Sequence, residues 1–285
     1  MSKAGMVSIF ANLILALFKF VVGILSGSKA IMADSLYSFK DFFISLVVFV
    51  GIGISGKPPD ENHPYGHGKI DFVAIFLISL AILVGTIFLF VHSVKDLVMA
   101  YHGNFNPPRF IAFWAALISV IANYRIYIYL HCVGTKKGSP AILANATHNH
   151  SDAISSIMVA VGVLGTKFGL VFLDPIVAVI ETIDLIRLNI TMLKDSINGM
   201  MDSSVSNKVI EQIQSIVVLV PGVQKVAKVI GRQVGKGIWV DIAIRVNHDL
   251  PYETGYTIGK QVEASLKNRI NDIVGINVII EPHIL

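Results

Sequence analysis

The chain has 285 residues, of which 54% are apolar and only 15% are charged, and its mean hydropathy is +0.68. Soluble domains carry about 25% charged residues, so the composition predicts an integral membrane protein. The formal charge of +4 comes without a run of basic residues, which argues against nucleic acid as a partner. Cys132 is the single cysteine, which excludes an intramolecular disulfide and a cysteine-rich metal cluster. Any metal chemistry must therefore use His, Asp and Glu.

Six segments are apolar and long enough to cross a hydrocarbon core, which takes about 20 residues. They cover approximately 7–25, 30–54, 72–94, 110–130, 140–164 and 170–193. The first has the alternative of being a signal peptide, since Lys3 precedes it and small residues follow near Ser28. Equally apolar segments follow, which favours a first span. We therefore predict a transmembrane domain of six helices over residues 1–202.

The basic residues of the short loops predict the orientation of these spans, because they accumulate on the cytoplasmic side. An even number of spans places both termini on one side. The terminal side carries Lys3, Lys57, Lys69, Lys136, Lys137 and Lys194, and the opposite side carries Lys29, Arg109 and Lys167. Both termini are therefore predicted to be cytoplasmic.

The composition changes after Asp202 to that of a soluble domain. Residues 207–218 and 254–270 have the spacing of amphipathic helices, and 223–231, 237–246 and 275–284 are rich in β-branched residues, as strands are. The order αββαβ predicts a small cytoplasmic α+β domain over residues 203–285, with its helices on one face of a sheet. So small a domain gains stability from a partner, which favours a homodimer.

Ionisable side chains lie near the middle of two predicted spans. The second span contains Asp41, and the fifth contains His148 and Asp152. Such groups are costly in a membrane unless they are paired or hydrated. Residues four apart lie on the same helix face, so Tyr37 with Asp41, and His148 with Asp152, form two pairs that predict a tetrahedral site for a divalent metal. Hydrogen bonding between the helices is the alternative.

Three polar residues near these pairs have less certain roles. Asp34 and Asn145 are candidates for lining a water-filled approach to the site or for supporting the ligands from behind. His150 points about 200° away from the face of its pair, and a bystander role is the alternative to a ligand role.

The sixth span carries Glu181 and Asp184 near its middle. We expect one of these acids to pair with Lys19 of the first span. A structural ion pair is favoured over a role in the ion path.

The loop after the second span contains Asp60, His63 and His67 among proline and glycine residues. Two imidazoles and a carboxylate suit zinc, manganese or ferrous iron. The spacing therefore predicts a second metal site in this loop, and a solvated loop without an ion is the alternative.

Together these features resemble the cation diffusion facilitator family over nearly the whole chain. The resemblance rests on six spans, an αββαβ cytoplasmic domain, the Asp-bearing second span, the His-xxx-Asp pair of the fifth span and the string His63-Pro-Tyr-Gly-His67-Gly-Lys69. Within the family, the strings at 33–41, 57–69, 181–185 and 238–241 are similar to those of iron transporters of the magnetosome membrane.

The resemblance implies a membrane-embedded homodimer, or a heterodimer with a related transporter, that exchanges a cytoplasmic divalent cation for protons. It places a transport site on Tyr37, Asp41, His148 and Asp152, and a loop site on Asp60, His63 and His67. It also implies an ion pair between Lys69 and Asp202 that acts as a hinge between the membrane and cytoplasmic domains across the dimer. The expected cargo is ferrous iron moved into magnetosome vesicles, with no organic cofactor. Efflux of manganese, zinc or iron through the plasma membrane is the alternative.

Tyr37 departs from the commonest pattern, because zinc carriers of the family have Asp or His at this position. A phenol is neutral at cell pH and is a weak ligand. Its presence favours ferrous iron or manganese over zinc. The alternative is that Tyr37 only shapes the site, which then has three protein ligands and water.

The cytoplasmic domain resembles members of the family that bind metal at the dimer interface. Trp239 and Asp241 lie two apart on the second predicted strand and hence on one face. The usual histidine partners on the last strand and on the helix are replaced by Asn277 and Tyr256.

Two other residues are candidates to replace the missing partners. Glu281 and His283 lie on the same strand face as Asn277 by alternation. We therefore expect a regulatory site of Trp239 and Asp241 with Glu281 or His283. The alternative is that His283 is a frayed terminal residue.

Other classes of membrane protein lack support in the sequence. There is no His-Glu-xx-His motif of a metalloprotease and no Gly-xxxx-Gly-Lys-Ser/Thr loop of an ATP-driven pump. The chain is therefore predicted to be a secondary transporter and not an enzyme. A nontransporting metal sensor or assembly scaffold is the remaining alternative.

Overall fold

The structure, a computed structural model, describes residues 3–54, 57, 60–64, 66–103, 105–137, 140–234 and 237–283. The predicted loop residues Pro58, Pro59 and Tyr65, together with Gly235 and Ile284, lie outside the described residues. The elements in chain order are α1 (Lys3–Ser26), α2 (Lys29–Ile54), α3 (Ile70–Tyr101), α4 (Ile111–Lys137), α5 (Pro140–Lys167), α6 (Leu173–Met200), α7 (Asn207–Val218), β1 (Lys225–Val234), β2 (Gly237–Asn247), α8 (Tyr252–Arg269) and β3 (Ile273–His283).

The chain divides into two compact units. One unit comprises Met1–Val50 and Ala74–Lys194, which contain most of α1 to α6. The other comprises Gly51–Val73 and Asp195–Leu285, which contain the loop after α2, the sheet and the last two helices. The boundary between residues 202 and 203 stays a prediction.

The connection between α1 and α2 shows how the sequence sets the start of a functional helix. Gly27 has a φ of +75°, a conformation that glycine adopts readily and that commonly ends a helix. Ser28 then caps α2, since its Oγ accepts the N–H of Ile31 at 3.2 Å and donates to Asp174 Oδ1 at 2.5 Å. Asp174 belongs to the first turn of α6, so the beginnings of α2 and α6 are tied together.

Small residues lie where the helices of the membrane unit pack. Ala30 of α2, Ala112 and Ala116 of α4, and Ala178 of α6 are buried in one cluster with Val159 of α5. In membranes, small residues allow helix backbones to approach closely and gain van der Waals contact. The alanines therefore permit the close packing that brings polar side chains of different helices together.

Among the described residues, three helices are apolar and long enough to cross a membrane by length and composition alone. These stretches are Ile9–Ser26, Ile70–Tyr101 and Ile111–Lys136, in α1, α3 and α4. The helices α2, α5 and α6 are of similar length but carry the ionisable residues discussed below. A helical transmembrane domain is confirmed, and crossing by α2, α5 and α6 stays a prediction.

The C-terminal domain has the predicted αββαβ order. Its sheet has the order β1-β2-β3, with β1 antiparallel to β2 and β3 parallel to β2. A parallel neighbour requires a crossover, which α8 supplies. Alternate residues of β2, namely Val240, Ile242 and Ile244, form one buried core with residues of α7 and α8 such as Val217 and Leu266. The first strand differs from the predicted 223–231, since β1 runs to Val234.

Candidate metal sites

Asp41, His148 and Asp152 form a cluster whose ligand atoms lie within 4.8 Å of one another. Asp41 comes from α2, and the other two are one turn apart on α5. The Nε2 atom of His148 is 2.8 Å from Asp41 Oδ2 and 3.8 Å from Asp152 Oδ2. The Asp41 side chain is only 8% exposed. The two predicted helix faces therefore meet, and they bring three of the four predicted transport ligands together.

The contact between His148 and Asp41 is close but does not have the alignment of a hydrogen bond. Asp41 Oδ2 is buried and lacks a well-aligned donor, although His148 Nε2 lies 2.8 Å away. The arrangement therefore suits a shared cation, for which carboxylate oxygen and neutral imidazole nitrogen are ordinary ligands.

The hydroxyl of Tyr37 is hydrogen bonded to α6. It donates to Asp184 Oδ2 at 2.6 Å and lies 3.3 Å from the carbonyl oxygen of Glu181. Glu181 in turn accepts the hydroxyl of Ser155 at 2.6 Å. A direct ligand role for Tyr37 stays a prediction, and these contacts favour the alternative in which Tyr37 shapes the site.

A cavity of about 590 Å³ opens onto this cluster. Its lining combines residues of α2 and α5 with acids of α6, among them Tyr37, His148, Asp152, Glu181 and Asp184. Such a concave space with converging polar groups is where a ligand binds by default. A cation has room to reach Asp152 and His148 from it.

Lys40 is a site residue that the sequence reasoning missed. Its Nζ atom lies 3.0 Å from Asp41 Oδ1, and its side chain is 3% exposed. The sequence could have indicated this residue, because burying a charged lysine near the middle of a predicted span costs as much free energy as burying an aspartate, and the lysine therefore needs a partner.

Lys19 pairs with Asp34, so the expectation that it pairs with Glu181 or Asp184 is wrong. Lys19 Nζ lies 2.9 Å from Asp34 Oδ2, and the two side chains are 1% and 3% exposed. Ser156 also donates to Asp34 Oδ2, at 3.0 Å. Helix periodicity gives the face on which each acid lies, but it does not reveal which acid of a neighbouring helix Lys19 reaches.

The polar neighbours of the cluster on α5 have contacts of their own. Asn149 donates to the side-chain and backbone oxygens of Asn145, at 3.1 and 2.9 Å. His150 is exposed, and its ring lies 4.9 Å from that of Tyr127. The bystander alternative for His150 is therefore favoured.

Asp60, His63 and His67 form a second cluster with the same 4.8 Å limit on the separation of their ligand atoms. Asp60 Oδ1 lies 3.2 Å from His63 Nδ1, and Asp60 Oδ2 lies 3.3 Å from His67 Nε2. The turn is held by the N–H of His63, which donates to Asp60 Oδ1 at 2.7 Å. Gly66 supports it with a φ of +83°. The structure therefore brings all three predicted loop residues together, at an exposed position.

The pH dependence of metal binding at this loop follows from its hydrogen bonds. The pKa of the Asp60 carboxyl is lowered, first by the backbone N–H of His63, so Asp60 stays charged at pH values where imidazoles take up protons. Because protons and metal compete for the same ligand atoms, we expect Mn²⁺ affinity of the loop to fall at least about tenfold from pH 7 to pH 5.

Calorimetric titration of the full-length protein carrying Asp41→Ala, which removes a ligand of the first cluster, measures this affinity. The matched control adds His63→Ala and His67→Ala, which should abolish Mn²⁺ binding at the loop at both pH values. An affinity that is equal at the two pH values would contradict the assignment.

Lys69 and Asp202 form the predicted ion pair. Lys69 Nζ lies 2.8 Å from Asp202 Oδ2 and donates to the carbonyl oxygen of Met200 at 3.2 Å. Arg232 Nη1 approaches the same carboxylate oxygen at 3.4 Å, a contact that was not predicted. Asp202 itself has a φ of +57°, which aspartate tolerates better than most residues. The role of the pair as a hinge across a dimer stays a prediction.

The predicted regulatory site in the C-terminal domain does not assemble within one chain. The indole N–H of Trp239 donates to Asp241 Oδ1 at 3.2 Å, as the spacing suggested. However, the parallel register pairs Asp241 with Asn277, and Glu281 with Arg245. Glu281 is therefore displaced from Asp241 by four residues along the strand, which is about 13 Å.

The remaining candidate, His283, pairs still further along, with Asn247. Alternation correctly placed Glu281 and His283 on the face of Asn277, but it does not tell which residue of β2 lies beside each of them. These candidates do not converge within one chain, and a regulatory site at a dimer interface stays a prediction.

A helical membrane domain that carries a cluster of ionisable side chains, followed by a small α+β domain, is the architecture expected of a divalent metal transporter. The cation efflux transmembrane domain matches residues 5–201, and the cytoplasmic domain of the cation efflux protein matches residues 205–283. The chain belongs to this family, the cation diffusion facilitators, whose members transport metal cations and are not enzymes in the usual sense.

The similar proteins include two named for magnetosomes and one named for manganese efflux. Magnetosome protein MamM of Magnetospirillum gryphiswaldense is 36% identical over 97% of this chain and 87% of its own length. Magnetosome protein MamB of Paramagnetospirillum magneticum is 34% identical over 95% and 91%. Manganese efflux system protein MneP of Bacillus subtilis is 26% identical over 99% and 96%. A solved MamM-CTD variant, at 29% identity and a TM-score of 0.28, covers 28% of this chain and 100% of its own.

Proposed function

We propose that this protein exchanges ferrous iron for protons and moves the iron out of the cytoplasm into magnetosome vesicles. The observation that carries the transport site is the convergence of Asp41, His148 and Asp152 from two helices of the membrane unit. Similarity to two proteins named for magnetosomes supports the destination. In this proposal the protein is a homodimer with both termini in the cytoplasm.

Proton coupling follows from competition for the same lone pairs. An imidazole nitrogen or a carboxylate oxygen that binds a metal ion cannot hold a proton at the same time. Metal entering from the cytoplasm displaces protons from the cluster, and protons from the far side displace the metal. No nucleotide is needed. The helices move between a state open to the cytoplasm and a state open to the far side. This movement requires only that metal and protons bind the two states with different affinities.

The Lys69–Asp202 pair is the proposed hinge between the membrane and cytoplasmic domains. It joins the residue before α3 to the residues that follow α6, and Arg232 of β1 shares the same carboxylate. Metal at the loop cluster, which neighbours Lys69 in sequence, is then placed to bias the hinge.

Efflux of manganese through the plasma membrane is the second candidate, favoured by the similarity to MneP. Both ions suit oxygen and imidazole ligands, so the protein ligands alone do not separate them. The two candidate functions differ in the membrane in which the protein resides, so its location in the cell distinguishes them.

The discriminating experiment measures competitive uptake of Fe²⁺, Mn²⁺ and Zn²⁺ into proteoliposomes under anaerobic conditions, with and without a proton gradient. We expect the gradient to drive uptake and Fe²⁺ and Mn²⁺ to be preferred. Tyr37→Asp should shift preference toward Zn²⁺ by about tenfold, which is about 1.4 kcal/mol, because it adds a carboxylate one helical turn from Asp41. Tyr37→Phe is the matched control, since it keeps the ring and removes the hydroxyl.

The outcomes are separable. Uptake that ignores the proton gradient would contradict the exchange mechanism. Unchanged zinc discrimination in Tyr37→Asp would contradict the role given to Tyr37 in ion choice, without touching the transport site itself.

A further inference from the structure

Lys40 is a buried cation placed directly on a transport ligand. It precedes Asp41 in α2, its side chain is 3% exposed, and its Nζ atom lies 3.0 Å from Asp41 Oδ1. The same atom lies 5.0 Å from the centre of the Tyr37 ring. Lysine is almost never buried without a partner, so the contact with Asp41 is what makes this position tenable.

The two oxygens of Asp41 have different partners. Lys40 holds Oδ1, while Oδ2 faces His148 Nε2 at 2.8 Å. A cation shared with His148 and Asp152 therefore meets a single oxygen of Asp41. The lysine also opposes one of the two carboxylate charges that attract the cation.

We propose that Lys40 is a positioning residue that holds Asp41 as a one-oxygen ligand and weakens the attraction of the site for the cation. A transport site must bind its ion strongly enough to capture it and weakly enough to release it. Two carboxylates in a low-dielectric surrounding attract a dication strongly, and the adjacent ammonium reduces this attraction. The inference rests on the proposed transport role of Asp41, His148 and Asp152.

One-oxygen coordination also suits the proposed cargo. Large cations such as Ca²⁺ take six to eight oxygen ligands and often use both oxygens of a carboxylate. An Asp41 that offers only Oδ2 favours smaller first-row ions with few ligands. Lys40 thus contributes to ion choice as well as to release.

The test replaces Lys40 by methionine in the full-length protein, with Mn²⁺ as the probe and with His63→Ala and His67→Ala present in every variant and in the reference protein to silence the loop cluster. Calorimetry in detergent should show Mn²⁺ binding at least about tenfold tighter, equivalent to about 1.4 kcal/mol. Uptake into proteoliposomes should show a lower KM together with a lower kcat, because release becomes slow. Lys40→Arg, which keeps the charge, should resemble the wild type. Lys95→Met, at an exposed lysine of α3, is the matched control and should change neither quantity.

A purely structural role would give a different result. Weaker or unchanged Mn²⁺ binding by folded Lys40→Met would overturn the proposal. Lys40→Gln repeats the test with a neutral donor to Asp41 Oδ1, should Lys40→Met not fold. Failure of both neutral variants to fold, as judged by size-exclusion chromatography and thermal unfolding, would assign Lys40 to the stability of α2 and would also overturn it.

Asp41→Ala separates this inference from the proposed function. If Asp41→Ala binds and transports Mn²⁺ as the wild type does, the transport site itself is misplaced. If Asp41→Ala is inactive while Lys40→Met binds Mn²⁺ with unchanged affinity, the role of Lys40 alone is refuted.

Discussion

Replacing Asp41 by alanine should reduce metal uptake into proteoliposomes by at least about 100-fold. Loss of a residue that only supports a metal ligand lowers activity by up to about 100-fold, and loss of a ligand itself should cost at least as much. Asp41 is the residue that joins the two helices of the cluster, since its Oδ2 atom lies 2.8 Å from His148 Nε2. Without it, α5 offers only His148 and Asp152, and the ion loses its ligand from α2. Uptake of Mn²⁺ or Fe²⁺ at saturating and subsaturating concentrations measures the loss.

The matched control is Asp195→Ala, which removes an exposed aspartate of α6. It changes the net charge by the same amount as Asp41→Ala and should leave uptake near the wild-type rate. Equal uptake by Asp41→Ala and the wild type would show that the cation crosses elsewhere. A matching loss in Asp195→Ala would show that the effect depends on net charge and not on ligation.

Helix periodicity was enough to predict most of the transport cluster. His148 and Asp152 are four apart, so they share a face of α5 whatever surrounds the helix. Periodicity does not fix how one helix is rotated and shifted against another. The contact of Tyr37 with Asp184 and that of Lys19 with Asp34 depend on such shifts, and the sequence therefore could not decide them.

The C-terminal domain shows the same division between local and nonlocal information. The strands were predictable from runs of β-branched residues, because each run forms its own element. The register between β2 and β3 depends on α8 and on the packing of Val240, Ile242 and Ile244 against both helices. This register separates Asp241 from Glu281 and His283, which alternation along β3 could not reveal.

Replacing Asp34 by alanine should have the largest effect on stability. Lys19 is 1% exposed and lies 2.9 Å from Asp34 Oδ2, so the variant leaves a buried ammonium that donates to Ser38 Oγ at 3.1 Å but has lost its ion-pair partner. Removing one partner of a buried ion pair costs about 3 to 5 kcal/mol. We expect the unfolding temperature in detergent, followed by circular dichroism, to fall by about 10 °C.

Adding Lys19→Met to Asp34→Ala should recover most of this loss, because replacing both members of a buried pair by apolar residues is often neutral. The double variant also separates structure from transport. If Asp34 serves only the ion pair, the double variant should be both stable and active. A stable double variant that does not transport would place Asp34 in a water-filled approach to Asp41. A double variant as unstable as Asp34→Ala would show that the loss comes from packing or from the hydrogen bond with Ser156, and not from an uncompensated charge on Lys19.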